Sequence, residues 1–118
     1  MAIDVITRDA TVQGPVIVEM TDRSGAHVEL TLAIGKLQPI HHAFAFSEGT
    51  LKLPVEGLKH GTYACTLIVQ AFKHKTAPNR MYDDLVRING KRVATCQGDI
   101  PADQTNDSGF GDFTLTVN

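Results

Sequence analysis

The sequence is poor in the residues that several large classes of protein need. Tryptophan is absent, and the 118 residues include five phenylalanines and two tyrosines, so we expect no broad platform for stacking bases or sugars. No apolar run approaches the length of about 20 residues that a membrane-spanning helix needs. The formal net charge of −2 is not the basic excess that is typical of nucleic-acid-binding proteins. We therefore expect neither a membrane nor a nucleic acid as partner.

The N-terminal segment and the two cysteines leave the compartment open. Residues 1–9 lack the basic start and apolar run of a signal peptide. A protein that acts where it is made, one that leaves by assembly or lysis, and one that has lost its signal all fit this observation. Cys65 and Cys96 lie in strand-like apolar segments, where buried free thiols are the expected state and a disulfide is the alternative.

A two-residue alternation of apolar and polar side chains runs along the chain, and no window follows a helical period. The strands that it predicts are Ile3–Thr7, Val16–Thr21, His27–Ile34, His42–Phe46, Leu51–Val55, Thr62–Phe72, Asp84–Ile88, Lys91–Thr95 and Phe113–Val117. We predict one all-β domain over residues 1–118, an antiparallel β-sandwich of eight or nine strands, jelly-roll or immunoglobulin-like, with little or no helix. A chain of this length buries enough surface for a core without metal or disulfide.

Local signals place some of these strands. The turn at Asp22–Gly25 predicts a hairpin of the two strands that flank it. Thr62–Phe72 is apolar on both faces and is predicted to be central, whereas Pro54 lacks a ladder donor and implies an edge or a strand end. Residues 98–111 are predicted to form a polar, acidic loop.

The clearest hairpin signal is Asn89-Gly90 between alternating segments, because both residues of such a two-residue turn need a positive φ. The pairs that this turn predicts are Ile88 with Lys91, Arg87 with Arg92, and Val86 with Val93. Val86 and Val93 would then face the core, and the two arginines would meet outside.

One set of side chains has the hard oxygen atoms that calcium prefers. Its members are Asp99, Asp103, Asn106, Asp107 and Asp112. Their spacing matches no EF-hand, and a solvated acidic loop is the alternative interpretation. No other cofactor is expected.

No constellation predicts catalysis. Asp83 and Asp84 are neighbours on a strand, so they point to opposite faces and cannot act as a paired acid and base without a bulge. No two of the five histidines have the i, i+2 spacing that would place both on one face of a strand, so a transition-metal site would have to be assembled from distant parts of the chain; the histidines are His27, His41, His42, His60 and His74. We therefore expect a protein that is not an enzyme.

Cations from one loop and its neighbouring hairpin form a candidate interaction surface. The predicted set is Lys73, Lys75, Arg80, Tyr82, Arg87, Lys91 and Arg92. Because Arg87 faces Arg92 across two strands, a carboxylate from a partner would relieve their repulsion. Side chains spread into solvent are the alternative interpretation.

Two stretches resemble known sandwich families. Residues 51–67, with Tyr63 two residues before Cys65, look like the strand–turn–strand of immunoglobulin-like domains, in which such a tyrosine makes a corner hydrogen bond to nearby backbone. The stretch from Gly61-x-Tyr63 to Ile88-Asn89-Gly90-Lys91 and Val93 is similar to galactose-binding-like jelly rolls, which include malectin-like carbohydrate-binding modules. The resemblance implies that fold, and glycan binding would use exposed aromatics, here Phe72, Tyr82 and Phe110.

Taken together, these features favour a non-catalytic structural or interaction module. We expect a subunit of a larger assembly or homo-oligomer, such as a phage virion decoration, cement or tail-associated protein. Edge strands at Leu51–Val55 and Ile3–Thr7 would be covered by a neighbour or would extend its sheet. The alternatives are a carbohydrate-binding or adhesin module that uses the loops at 73–80 and before Phe110, and an intracellular inhibitor-type protein binder.

Overall fold

The structure is a computed structural model that describes residues 4–72, 81–100 and 105–118. These residues form two five-stranded sheets and contain no helix. Sheet A has the order β1-β9-β8-β3-β6, and sheet B has the order β2-β10-β7-β4-β5. The strands are β1 Asp4–Thr7, β2 Ala10–Val12, β3 Val16–Asp22, β4 His27–Ile34, β5 Ile40–Ala45, β6 Gly49–Val55, β7 Gly61–Phe72, β8 Met81–Ile88, β9 Lys91–Asp99 and β10 Asn106–Val117.

The prediction of an all-β chain is confirmed, although the described strands number ten rather than eight or nine. The additional strand is β2, whose three residues are too short to show an alternation. The prediction of a loop over residues 98–111 is wrong at both ends, because β9 extends to Asp99 and β10 begins at Asn106. Within the described ranges no helix could cross a membrane.

One core lies between the two sheets. In β4, Val28, Leu30, Leu32 and Ile34 are buried while the residues between them are half-buried. Full burial of each such side chain stabilises the fold by about 1.5–3 kcal/mol. The two-residue alternation therefore assigned the inward face of this strand correctly.

The predicted hairpin of β3 and β4 is wrong, because the two strands lie in different sheets. β3 pairs with β6 and β8, whereas β4 pairs with β5 and β7. The carboxylate of Asp22 accepts hydrogen bonds from Ser24 N, Ser24 Oγ and Gly25 N, and this turn carries the chain from one layer to the other. Two consecutive alternating strands can bury their apolar faces either as neighbours in one sheet or as members of two sheets packed against each other. The alternation is the same in both arrangements and does not distinguish them.

The predicted turn at Asn89-Gly90 is confirmed, with φ values of 50° and 79°. Arg87 lies opposite Arg92 and Ile88 opposite Lys91, as predicted. Val86, however, lies opposite Ala94 rather than Val93, because the register shifts between Val86 and Arg87. Val93 and Ala94 are both buried, and the irregularity is what allows two consecutive residues to face inward.

Pro54 lies on β6, an edge strand of sheet A, as predicted. Both backbone groups of Ile17, which is opposite Pro54, are bonded to Asn89: Ile17 N donates to Asn89 Oδ1 at 2.7 Å, and Asn89 N donates to Ile17 O at 3.0 Å. The backbone N–H and C=O groups of Ile17 therefore point to β8 and away from β6. The backbone groups of its partner Pro54 then point to the open edge of the sheet, where no hydrogen-bond donor is needed. The predicted central position of β7 is also confirmed, since it is the middle strand of sheet B.

The opposite edge of sheet A approaches sheet B. Thr7 Oγ1 of β1 donates to Asp112 O of β10 at 2.7 Å. A Cβ at Gly111 would lie 2.6 Å from Thr7 Cγ2 and 2.9 Å from Val5 Cγ1, so only glycine permits this approach. The sheets thus curl toward each other along β1 and β10.

Candidate functional site

The outer face of sheet B carries an exposed apolar pair, Ile68 and Phe110. The two residues are direct cross-strand partners on β7 and β10, and they are 44% and 69% exposed. Their neighbours on the same face, Gln70, Ser108 and Thr66, are polar. The two side chains form a small apolar patch in the middle of a sheet face that is otherwise polar around them.

Three aromatic rings, those of His27, Phe46 and Phe72, lie further along the same face, at one end of sheet B. The His27 ring lies edge-on to Phe46 and Phe72, with centroid distances of 5.4 Å and 5.2 Å. Phe72 is four residues from Ile68 on β7, or about 13 Å along the strand. The apolar character of this face is therefore not confined to Ile68 and Phe110.

Next to these rings, the carboxylate of Glu29 lies between two imidazoles. Its Oε2 is 3.3 Å from His27 Nε2, and its Oε1 is 3.3 Å from His41 Nε2. Thr31 Oγ1 lies 2.8 Å from His41 Nδ1 and orients that ring. The sequence reasoning missed this cluster because His41 reaches Glu29 only through the pairing of β4 with β5. No group of three His, Cys, Asp or Glu side chains in the described ranges can hold a metal ion, and the cluster is a set of polar side-chain contacts at the surface.

The outer face of sheet A differs in being charged. Lys52 Nζ lies 3.7 Å from Glu19 Oε1, and Arg23 Nη2 lies 2.9 Å from Asp83 Oδ1. Arg87 has Arg92 opposite it on β9 and Glu19 opposite it on β3. Glu19 is thus a cross-strand neighbour of Arg87, and it forms its ion pair with Lys52, so the expectation of a partner carboxylate beside the two arginines stays a prediction.

A groove of about 320 Å³ opens on the same face of sheet A. Arg8, Arg23 and Arg92 line it together with the exposed side chain of Ile6. Arg23 is paired with Asp83. Three guanidinium groups around one groove favour an anionic ligand, since each can bind a planar oxyanion through two hydrogen bonds.

The structure separates the predicted interaction set. The expectation that Tyr82 is available at the surface is wrong: it is 2% exposed, and its hydroxyl donates to Asp107 Oδ2 at 3.3 Å. Lys91 Nζ donates to Thr11 O at 2.6 Å, which ties the β8–β9 hairpin to β2. The members outside the described residues are Lys73, Lys75 and Arg80.

The calcium set does not converge among its described members. Asn106 and Asp107 are consecutive on β10 and point to opposite faces, with Asp107 directed inward to Tyr82. Asp112 lies on the outer face, where it accepts a hydrogen bond of 2.6 Å from Thr66 Oγ1. Asp99 ends β9, and Asp103 lies outside the described residues.

A second site that the sequence reasoning missed is a buried pair of carboxyls. Asp22 and Asp84 are cross-strand partners on β3 and β8, and they are 2% and 0% exposed. Among the described residues, no group donates a hydrogen bond to either carboxyl oxygen of Asp84. The neighbouring polar group is the carboxyl of Asp22. Burial, with a further contribution from Asp22, raises the pKa of Asp84 to about 9. Asp84 is therefore a neutral acid at pH 7, and its proton is the donor that this contact requires.

The two cysteines are free and buried. Burial raises the pKa of the Cys65 thiol to about 11, and burial beside Asp84 raises the pKa of Cys96 to about 12. Neither thiol is a nucleophile at neutral pH. Because Asp84 and Cys96 are both 0% exposed, a substrate in solvent has no access to them, and this cluster is a feature of the interior.

The tyrosine corner that the immunoglobulin-like resemblance implied is present. Tyr63 Oη donates to Lys59 O at 2.7 Å and accepts from Lys59 N at 3.1 Å. A scan of protein-family models and a search of curated proteins gave no match to this chain.

Proposed function

We propose that this protein is a non-catalytic subunit of a larger protein assembly, and that the outer face of sheet B contacts its neighbour. The observation that carries the proposal is the exposed pair Ile68–Phe110 at the centre of that face. The outer face of sheet A carries the ion pairs of Lys52 with Glu19 and of Arg23 with Asp83. Its exposed apolar residues Ile6 and Met81 lie on strands that are not neighbours, whereas Ile68 and Phe110 are exposed side by side on sheet B.

The energetics agree with a contact residue of this kind. Burying the exposed part of one large apolar side chain contributes about 2 kcal/mol at 25 cal/mol per Å². Aromatic anchors near the centre of an interface commonly carry most of its binding energy. Phe110, flanked by polar residues that can form a rim, has the position and chemistry of such an anchor.

Sedimentation velocity over about 10 µM to 1 mM, the range of weak subunit contacts, tests this proposal. We expect the wild-type chain to associate, and Phe110→Ser or Ile68→Thr to shift association to at least tenfold higher concentration. Ile6→Thr is the matched control, because Ile6 is 60% exposed on sheet A and should leave association unchanged. A wild-type chain that stays monomeric at the highest concentration, or two sheet B variants that associate like the wild type, would refute the proposal.

Two finer statements belong to this proposal. A jelly-roll-like arrangement is supported by the path of the chain, which stays within one sheet only at β4–β5 and β8–β9 among the described connections. A virion decoration, cement or tail-associated role is supported by the small size of the domain and by the burial of both thiols and of the Asp22–Asp84 pair. Immunogold labelling of particles from the source would detect such a subunit, and unlabelled particles would remove this role.

A second candidate is a carbohydrate-binding module for acidic sugars, which the groove lined by Arg8, Arg23 and Arg92 favours. A glycan array with sulfated, carboxylated and neutral members should then give acidic hits. Arg8→Ala and Arg92→Ala should abolish those hits, whereas Lys52→Ala on the same sheet should not. An array without acidic hits would exclude this candidate.

A further inference from the structure

The four sheet edges differ in how well they are protected. On sheet A, β6 carries Pro54 and Lys52, and β1 is partly covered by β10. On sheet B, β2 has three residues. The remaining edge, β5, spans Ile40–Ala45 and contains neither proline nor a lysine or acidic residue. Proline, lysine, short length and cover are the means by which proteins prevent edge-to-edge pairing, and β5 has none of them among the described residues.

The backbone groups that face outward from β5 follow from two hydrogen bonds. Gly35 N donates to Ala64 O at 2.9 Å, so the backbone N–H and C=O groups of the odd-numbered residues of β4 point to β7. Phe46 N donates to Ala26 O at 3.3 Å, so the backbone groups of the even-numbered residues of β4 point to β5. In β5 the even-numbered residues therefore bond β4. The odd-numbered residues direct their N–H and C=O groups to the open edge, and they are His41, Ala43 and Ala45.

These three residues are all exposed. His41 is turned along the sheet face by its contacts with Glu29 and Thr31, and the two alanines present no side chain that would obstruct a strand. No described backbone group bonds this edge.

We propose that β5 pairs with β5 of a second copy of this chain, antiparallel about a two-fold axis, so that the two sheets B become one ten-stranded sheet. This inference deepens the proposed function by naming one neighbour in the assembly. Two copies of one strand can pair in this way only if like charges are not brought together, and β5 carries no lysine, arginine or carboxylate. An isologous contact of this kind closes as a dimer.

The register with the most hydrogen bonds is centred on Ala43. It places Ala43 opposite Ala43 of the other copy and His41 opposite Ala45, which gives about six backbone hydrogen bonds. In the same register His42 lies opposite Phe44 on the inner side. This contact involves six residues from each copy, whereas a standard protein–protein interface involves about 20–30 from each partner. The dimer is therefore expected to be reversible and to need a high local concentration.

A cysteine at the centre of the edge tests this register. In a hydrogen-bonded antiparallel pair the Cα atoms lie about 5.5 Å apart, which is the span of a disulfide. Ala43→Cys should therefore oxidise to a covalent dimer, whereas Ala64→Cys, on central strand β7 of the same face, should remain monomeric. The native thiols are buried and do not compete. Absence of a disulfide-linked dimer of Ala43→Cys, or equal yields from the two variants, would overturn the inference.

Two further variants keep the test decisive if one of them folds poorly. Ala43→Pro removes a donor that no described group accepts, and Ala43→Lys places two like charges opposite each other. Both should abolish concentration-dependent protection of the His41 and Ala45 amides from hydrogen exchange. Persistent protection in either folded variant would contradict the inference.

The inference and the proposed function can fail separately. Adding Phe110→Ser to the Ala43→Cys variant should leave its intermolecular disulfide unaffected, and Ala43→Pro should leave association through the apolar pair unaffected. If Phe110→Ser has no effect on association while Ala43→Cys forms its covalent dimer, the edge contact stands and the face contact falls.

Discussion

Replacing Asp84 by asparagine should change how the stability of this protein depends on pH. Asp84 has a pKa of about 9 in the folded chain and about 3.9 in an unfolded chain. Between these values the unfolded chain has lost the proton that the folded chain retains. The unfolded state therefore binds fewer protons, and the free energy of unfolding falls as pH rises through this window.

The slope gives the expected magnitude. One proton released on unfolding lowers the free energy of unfolding by about 1.4 kcal/mol per pH unit, or about 2.7 kcal/mol between pH 6 and pH 8. The asparagine of the Asp84→Asn variant does not titrate, and its amide can donate to Asp22 as the protonated acid does. The difference in stability between Asp84→Asn and wild type should thus grow by about 2.7 kcal/mol over this interval in favour of the variant.

Urea unfolding followed by far-ultraviolet circular dichroism at several pH values measures this difference, and other titrating groups cancel in it. Asp83→Asn is the matched control, since Asp83 is the outward neighbour that pairs with Arg23. Asp83→Asn should lower the free energy of unfolding by up to about 1 kcal/mol, as expected for the loss of an exposed ion pair. It should not change the dependence of that free energy on pH as Asp84→Asn does. Parallel curves for wild type and Asp84→Asn between pH 6 and pH 8 would refute the assignment of Asp84 as a neutral buried acid.

Gly98→Ala should lower the free energy of unfolding by about 1–3 kcal/mol in urea titrations, because a Cβ there would overlap the Tyr82 ring; wild-type stability would contradict this packing. Asn89→Ala should cost about 2–4 kcal/mol in the same assay, since the amide makes three hydrogen bonds to backbone and φ is 50°. Asn89→Gly keeps the turn conformation and should cost less, so equal losses would assign the whole effect to the side chain. Cys65 and Cys96 should react with a thiol reagent at pH 8 at least about 100-fold more slowly in the folded chain than in urea, and rapid reaction when folded would show that they are not buried.

Local pattern predicted much of this fold because its signals act between near neighbours. The alternation in β4 identified its inward face, and Asn89-Gly90 identified a turn whose two positive φ values few other pairs adopt. Pro54 marked an edge because a proline has no donor for a further strand.

Pairing between distant strands could not be predicted in the same way. The assignment of β3 and β4 to different sheets depends on which surfaces meet across the core, and local alternation is the same in both arrangements. β10 begins at Asn106, within a segment rich in glycine and aspartate that disfavours strands, because pairing with β7 outweighs local propensity.

The candidate sites show the same division. Asp22 is two residues after the buried Met20, and Asp84 is two residues before the buried Val86. The two-residue alternation therefore predicts that both aspartates point inward. That the two meet follows only from the register of β3 with β8. His41 and Glu29 likewise meet through strand pairing alone.

Whether this chain meets its neighbour through sheet B can be measured by a concentration series of ¹H–¹⁵N correlation spectra. Amide signals around Ile68, Phe110 and Ala43 should shift with concentration, while those around Thr95 on sheet A should not. Shifts confined to sheet A, or spectra that are the same at every concentration, would contradict this prediction.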